Sequence, residues 1–370
     1  MMRPRPVLLL TRELGLGGSE RQLCEIAKAL DRARFQPHVG CFRSDGFRAD
    51  ELRAAGVPIL QLPVTSLRGP GALRGALELG RYIRERGIEI VHAFDVPMNE
   101  FAVPVARMFS APFVLSSQRA HRDLVSRAHR HMLRLTDFMV DGIVVNSLAV
   151  RRQLIEEDRV QPGRIHVCYN AIDMERFHPA PRVRPEALAD ACLVIGVICA
   201  LRPEKDLPTL LEAFARVRRL RPGLKLAIVG SGPVLPELKE RSRKLGLDSS
   251  CHFEPATADV AGWLHAIDIF VLPSKSEALS NSLMEAMACQ CSVVASRVGG
   301  NPELVDDEGT GLLFPAGDAA GLAECLKRLI ENDALRARLA AAASLFMRNF
   351  SREASTRRME QIYETVAKNR

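Results

Sequence analysis

One feature constrains this chain more than any other: short apolar runs alternate with helically spaced stretches almost from end to end. Residues 7–10 are followed by a helical pattern over 20–30. Apolar runs recur at 38–42, 88–94, 113–117 and 142–146, the last leading into a helical pattern over 148–156. Alternation of this kind makes a parallel sheet flanked by helices. It stops once, at 178–185, where Pro179, Pro181 and Pro185 stand among few apolar residues, and this reads as a linker between domains. It then restarts with 193–201, a helix over 207–220, runs at 224–230 and 267–273, a helix from about Ser282 to Ala288, and 292–296. From Ala319 onward the pattern is almost all helical, broken near 349–351. A chain of 370 residues exceeds what one core usually serves. The expected organisation is therefore α/β, with one Rossmann-like domain over 1–178 and a second over 190–348. In doubly wound sheets ligands sit outside the carboxyl ends of the strands, so the chemistry is sought in the loops that follow strands.

Composition excludes several classes. Hydrophobic residues at 47% and charged residues at 26% argue against disorder. The most apolar stretches, such as 7–10 and 191–201, fall short of the roughly 18–20 residues that cross a bilayer. Pro4 and Pro6 interrupt the basic start at Arg3 and Arg5, so the first apolar run reads as a strand and not a signal-peptide core; a cytoplasmic location is expected. The nine cysteines lack framework spacing, and Cys192 and Cys199 read as small core residues. Cys289 and Cys291 have no second pair at metal spacing, so no zinc is expected. The net charge of +7 favours anionic partners. Nucleic acid is not expected among them, because the basic charge comes without aromatic interleaving. Between 119 and 134 the chain carries Arg119, His121, Arg122, Arg127, His129, Arg130, His131 and Arg134 against one acid, Asp123, with apolar partners between them. This basic amphipathic segment is a candidate for peripheral contact with an anionic membrane on its cytoplasmic face.

The most informative stretch is 272–288, in which a strand ends, a loop carries Glu277 and a helix carries Glu285. Ser280, Asn281 and Ser282 are good helix-start residues, and a helix start offers backbone N–H groups and a positive dipole end that suit a diphosphate. Glu285 can accept hydrogen bonds from a ribose diol, and Glu277 can reach sugar hydroxyls beside the phosphates. Lys205 and Arg202, in the loop after the first strand of the second domain, would place two cations over a departing diphosphate. Gly17 and Gly18 follow the first strand and open a helix, where the backbone can approach a phosphate closely. A dinucleotide motif is incomplete there, since Glu20 stands where the third glycine would be. His92, at the end of a strand, is placed to point into the cleft.

The 272–288 stretch, with Val293-Val-Ala-Ser-Arg-Val-Gly-Gly-Asn-Pro-Glu303 after it, resembles the signature of the large retaining glycosyltransferase family 4. The resemblance covers nearly the whole chain. Gly17-Gly-Ser-Glu20, Val144-Val-Asn-Ser147, Arg164-Ile165 and Asn170-Ala-Ile-Asp173 with Phe177 resemble its acceptor domain. Val229-Gly-Ser-Gly-Pro233, Asp259-Val260 and 268–274 resemble its donor domain, with Gly230 and Ser231 at the nucleotide-sugar. The resemblance implies a GT-B architecture, two Rossmann-like domains facing across a cleft, with a C-terminal helix over 349–370 returning to the first. It implies transfer of a sugar from a UDP- or GDP-sugar to a glycan or lipid-linked acceptor, in envelope or exopolysaccharide synthesis. Anomeric configuration would be retained, with no metal and no other cofactor.

The sequence also departs from the family's commonest pattern. Ala200 replaces an arginine five residues before Lys205, leaving Arg202 to substitute. Ala278, Gln290 and Ala171 stand at common glycine positions. Ser116-Ser-Gln-Arg119 lacks a histidine that contacts the sugar in many relatives, and His121 is the nearest candidate. Two rival readings follow from these departures and from the architecture: a non-catalytic scaffold that binds a nucleotide-sugar, and a nucleotide-sugar epimerase. The paired glutamates also evoke a retaining glycosidase. Both arise in one phosphate-favouring helix start, which suits donor holding better than attack.

Overall fold

The computed structural model describes residues 3–15 and 17–368. They divide into two compact units, 1–171 with 352–370, and 172–351.

In the first unit β1 (Arg5–Glu13), β2 (Phe35–Arg43), β3 (Ile59–Gln61), β4 (Ile90–Ala93), β5 (Phe113–Gln118), β6 (Gly142–Val145) and β7 (Ile165–Val167) form one parallel sheet. Its order is β3-β2-β1-β4-β5-β6-β7. The crossovers carry α1 (Gly18–Ala29), α2 (Phe47–Ala54), α3 (Pro70–Glu85), α4 (Val96–Met108), α5 (Arg127–Met139) and α6 (Leu148–Glu156). β1 lies near the centre and is buried from Pro6 to Thr11, as expected for a strand covered on both faces.

The second unit repeats the plan. Here β8 (Leu193–Ile198), β9 (Leu224–Val229), β10 (Cys251–Glu254), β11 (Ile269–Leu272), β12 (Ser292–Ser296) and β13 (Leu312–Phe314) are ordered β10-β9-β8-β11-β12-β13. Between and after them run α7 (Leu207–Val217), α8 (Leu235–Lys244), α9 (Val260–Ala266), α10 (Asn281–Ala288), α11 (Asn301–Leu304), α12 (Ala319–Glu331) and α13 (Asp333–Phe346). The core packs Leu210, Phe214 and Leu322 against Ile195, Leu226 and Val271.

The last helix, α14 (Arg352–Lys368), belongs to the first unit. Its buried face places Met359, Ile362 and Tyr363 in the same core as Val7, Leu9 and Phe35. Glu360 fixes it by pairing with Arg34 at 2.8 Å and accepting from the Asp31 N–H at 2.8 Å.

The contact boundary falls between Ala171 and Ile172, so the proline-rich 178–185 stretch lies wholly inside the second unit. There Arg184 pairs with Asp268 at 2.6 Å and Arg182 with the same carboxylate at 3.3 Å. Arginines every second residue strap this segment down, a role that proline content alone does not reveal.

The 119–134 stretch is not one basic surface helix. β5 ends at Gln118, a single turn of 3-10 helix spans Arg122–Leu124, and Ser126 caps α5. Arg119 turns inward, donating to Asn170 Oδ1 at 2.6 Å and covering the Phe94 ring at 5.1 Å; burial lowers its pKa to about 10. Arg122 is 2% exposed and lies between Asp137 at 2.9 Å and Asp158 at 3.4 Å. Arg134 shares Asp158, and His129 meets Glu100 at 2.7 Å. The charge excess read from 119–134 is therefore neutralised in part, at Arg122 and Arg134, by acids that lie outside that window and that only the fold brings near.

Candidate active site

Both sheets reverse their strand order at one place, beside β1 and β4 in the first unit and beside β8 and β11 in the second. Helices leave opposite faces at such a point and open a crevice at the carboxyl end of the sheet. In each unit, the polar residues that matter gather there.

In the second unit the loop after β8 and the loop after β11 are stitched together. Lys275 N–H donates to Glu204 O at 2.8 Å, and the Lys275 ammonium pairs with Asp206 at 3.0 Å. This leaves the neighbouring cation, Lys205, directed at Glu277: Nζ lies 2.5 Å from Oε1, which also accepts from Ser274 Oγ at 2.7 Å. Glu277 is 8% exposed. Its loop is held from beneath, because Ser296 Oγ donates to Ser274 O at 2.6 Å and Gly300 N–H to Glu277 O at 3.3 Å. A buried carboxylate held by an ammonium and a hydroxyl is fixed in direction.

α10 starts one residue earlier than its sequence pattern suggests, at Asn281, with Ser280 as cap accepting from Leu283 N–H at 3.3 Å. Ser282 Oγ lies 3.2 Å from Ser280 Oγ, and Glu285, one turn along, is buried. Glu277, Lys205, Ser280, Asn281, Ser282 and Glu285 thus come from two loops and one helix start at the same switch point. Arg202 stands apart from them: its side chain is 64% exposed, and the described ion pair it makes is a long one to Glu204 at 4.0 Å.

Gly230 and Ser231 close the same edge. Gly230 has φ +148°, and a Cβ there would lie 1.9 Å from Cys199 O. Only glycine lets the turn after β9 close against the end of β8. Ser231 Oγ accepts from Ala256 N–H at 3.1 Å, and its carbonyl accepts from Leu201 N–H at 3.0 Å.

In the first unit, Gly17 is the N-cap of α1 and makes no side-chain cap bond, and Gly18 opens the helix. Beside it lies a residue that sequence reasoning missed. Asp95 follows β4 with a left-handed φ of +63° and caps α4 through Met98 N–H at 3.1 Å. Its other oxygen accepts from Thr11 Oγ1 and from Arg12 N–H, each at 3.1 Å. Burial raises its pKa to about 6 in spite of those three bonds. The sequence signal was present in Asp95-Val-Pro97, a capping acid followed by a proline at the helix start. Asp95, Ser19, Ser117, Gln118 and His121 line a cavity of about 90 Å³. Gln118 is 3% exposed and its Nε2 has no described partner. His121 Nδ1 lies 3.0 Å from Gln153 Oε1.

His92 does not face the open end of the sheet. It is fully buried, with Nδ1 2.9 Å from Tyr363 Oη and Nε2 2.9 Å from Ser117 Oγ. Burial, reinforced by Arg119, holds its pKa well below the usual imidazole value, so it is neutral and joins α14 to β5.

Of the three common glycine positions that differ, only one demands left-handed backbone: Gln290 has φ +60°, whereas Ala278 and Ala171 do not lie in that region.

Comparison with known proteins agrees with this architecture. The chain superposes on Anabaena HepE in complex with UDP-glucose with a TM-score of 0.84, at 21% identity, covering 97% of this chain and 99% of that one. A glycosyltransferase from Rickettsia africae aligns over the full length of both chains with a TM-score of 0.83 at 20% identity. These likenesses establish the GT-B fold, two Rossmann-like units in one chain. The family model for "Glycosyltransferase Family 4" matches residues 16–176, and that for "Glycosyl transferases group 1" matches 192–332. Together they span most of the chain, which belongs to the group 1, family 4 glycosyltransferases. Among curated relatives, D-inositol 3-phosphate glycosyltransferase of Saccharomonospora viridis is 33% identical over 238 residues, 60% of this chain and 55% of its own length. The corresponding protein of Salinispora arenicola is 32% identical over 248 residues, 61% of this chain and 55% of that protein. The chain spans about half the length of the curated relatives it matches.

Proposed function

We propose that this chain transfers a sugar from a nucleoside diphosphate sugar to a hydroxyl of a glycan or lipid-linked acceptor in envelope or exopolysaccharide synthesis. In this reading anomeric configuration is retained and no metal is used. The observation that carries the reading is the Lys205–Glu277 contact of 2.5 Å at the switch point of the second unit, next to the capped start of α10 and to Glu285.

Each residue has a task that its position suits. Glu285 accepts from the ribose diol, and the N–H groups at Ser280–Ser282 take phosphate oxygens. Lys205 neutralises the charge that grows on the departing diphosphate, the work a metal ion does elsewhere. Glu277, held in direction by Ser274, orients the sugar through its hydroxyls. The sugar–phosphate bond breaks, the acceptor oxygen bonds to the anomeric carbon on the same face, and the acceptor proton passes to the leaving phosphate. The products are the glycoside and the nucleoside diphosphate. UDP is the first nucleotide to test, since HepE was crystallised with UDP-glucose.

The acceptor falls to the first unit, where Asp95, Ser117, Gln118 and His121 line a cavity. The names of the curated relatives favour a phosphorylated cyclitol as a second acceptor class to test. The discriminating assay incubates purified protein with UDP- and GDP-sugars, with EDTA, and with glycan, lipid-linked or cyclitol phosphate acceptors. Transfer with retained configuration supports the proposal. Epimerised nucleotide-sugar without acceptor would select the epimerase instead, and donor binding without turnover on any acceptor would select the scaffold.

A further inference from the structure

The outward face of α5 is apolar. Phe138 is 82% exposed, Leu135 59% and Met132 42%, and Leu124, in the turn before the helix, is 52% exposed. On a helix, residues 128, 131, 132, 135 and 138 share one face, and Ala128 and His131 fill the remaining places on it. The opposite face carries Leu133, Thr136 and Asp137 into the core. Arg107 ties the end of α4 to α5 by donating to Met139 O and pairing with Asp141 at 2.8 Å. Met108, the next residue, is 74% exposed.

A cluster of large apolar side chains at this exposure costs solubility and calls for an occupant. Charge identifies the occupant. Arg127, exposed at the start of α5, makes no ion pair among the described residues, and His131 lies within the apolar face itself. The chain as a whole carries +7. An apolar helical face with Arg127 at its edge suits an anionic bilayer, into whose headgroup region it can sink while that cation stays at phosphate level.

We infer that α5 docks this protein on an anionic lipid surface through Met132, Leu135 and Phe138, with Arg127 at phosphate level. Apolar insertion carries the binding, and the inward-turned Arg119 and Arg122 take no part. The inference deepens the proposal of a lipid-linked acceptor and rests on it for its purpose.

The test is sedimentation of the full chain with vesicles of phosphatidylcholine, with and without phosphatidylglycerol, in the absence of donor and acceptor. Its outcome is therefore independent of any transfer assay. The wild type is expected to favour the anionic vesicles. Leu135→Glu with Phe138→Glu should weaken binding roughly tenfold or more, and Arg127→Glu by several-fold. Leu135→Ser with Phe138→Ser, checked for an unchanged melting temperature, should also lose binding, which separates insertion from repulsion. Arg122→Met should leave the partition of folded protein unchanged. Equal binding of wild type and the Leu135 and Phe138 variants, or no preference for anionic vesicles, would overturn the inference. So would a dimer in solution that the same variants dissociate, because the face would then belong to a second copy.

Discussion

Lys205 Nζ and Glu277 Oε1 lie 2.5 Å apart although 72 residues separate them, because β8 and β11 are neighbours at the point where the sheet reverses order. Ser274 Oγ holds the same carboxylate oxygen. In the proposed reading this pair presents a cation to the diphosphate and an acceptor to the sugar. Lys205→Ala and Glu277→Gln should each reduce kcat by about 10²- to 10³-fold. The double variant should lose less than the product of the two, since the residues act as a unit. Steady-state kinetics of the three variants check this, and strictly multiplicative losses would separate the two roles.

Gly230→Ala should destabilise the second unit by about 2–4 kcal/mol. A methyl at φ +148° would meet Cys199 O at 1.9 Å, which only backbone movement relieves. Urea unfolding is the measurement. A loss below about 0.5 kcal/mol would mean that the turn after β9 relaxes freely.

Gln290→Gly should act in the opposite direction. At φ +60°, just past the end of α10, glutamine carries a left-handed strain that glycine does not. Arg182 Nη2 donates to the backbone carbonyl of Gln290, at 3.1 Å, so the contact survives the change. The expected gain is about 0.5–1 kcal/mol, read as a raised unfolding midpoint.

These two positions show which parts of the chain were legible in the sequence. Strand and helix alternation placed the inner strands of both sheets but not the edge strands β3, β7, β10 and β13, and the 272–288 stretch placed Glu277, Ser280 and Glu285, because strand ends, caps and loop polarity are local properties. Gly230 was read as a ligand contact, whereas its structural demand comes from Cys199, thirty-one residues earlier in the chain and adjacent only in the folded sheet. Asp95 escaped for a related reason: its capping role is local, but its burial and its contacts with Thr11 and Arg12 depend on β1 lying beside β4. The charge of 119–134 was miscounted because Asp137 and Asp158 enter from outside the window.

Asp95 should leave a signature in the pH dependence of stability. Its pKa is about 6 in the folded protein against an ordinary value near 3.8, so the folded state binds the proton more tightly than the unfolded one. Its contribution is complete below the unfolded value and is lost as pH rises through about 6. Asp95→Asn should therefore flatten the decline of unfolding free energy between about pH 4 and 6. Denaturant titrations across that range are the check. An unchanged slope would show that the carboxyl titrates normally. Asp137, whose pKa burial also raises to about 6, is present in both proteins and cancels in the difference.

In the proposed function the second unit holds a nucleoside diphosphate through α10, Glu285 and the neighbouring Glu277. Calorimetric titration of UDP and of GDP tests it most directly, with and without EDTA, on the wild type and on Glu285→Ala. One of the two nucleotides should bind, EDTA should leave its affinity unchanged, and Glu285→Ala should weaken it about tenfold or more, the loss of a charged hydrogen bond. No binding of either nucleotide, binding that vanishes with EDTA, or a Glu285→Ala affinity equal to the wild type would contradict it.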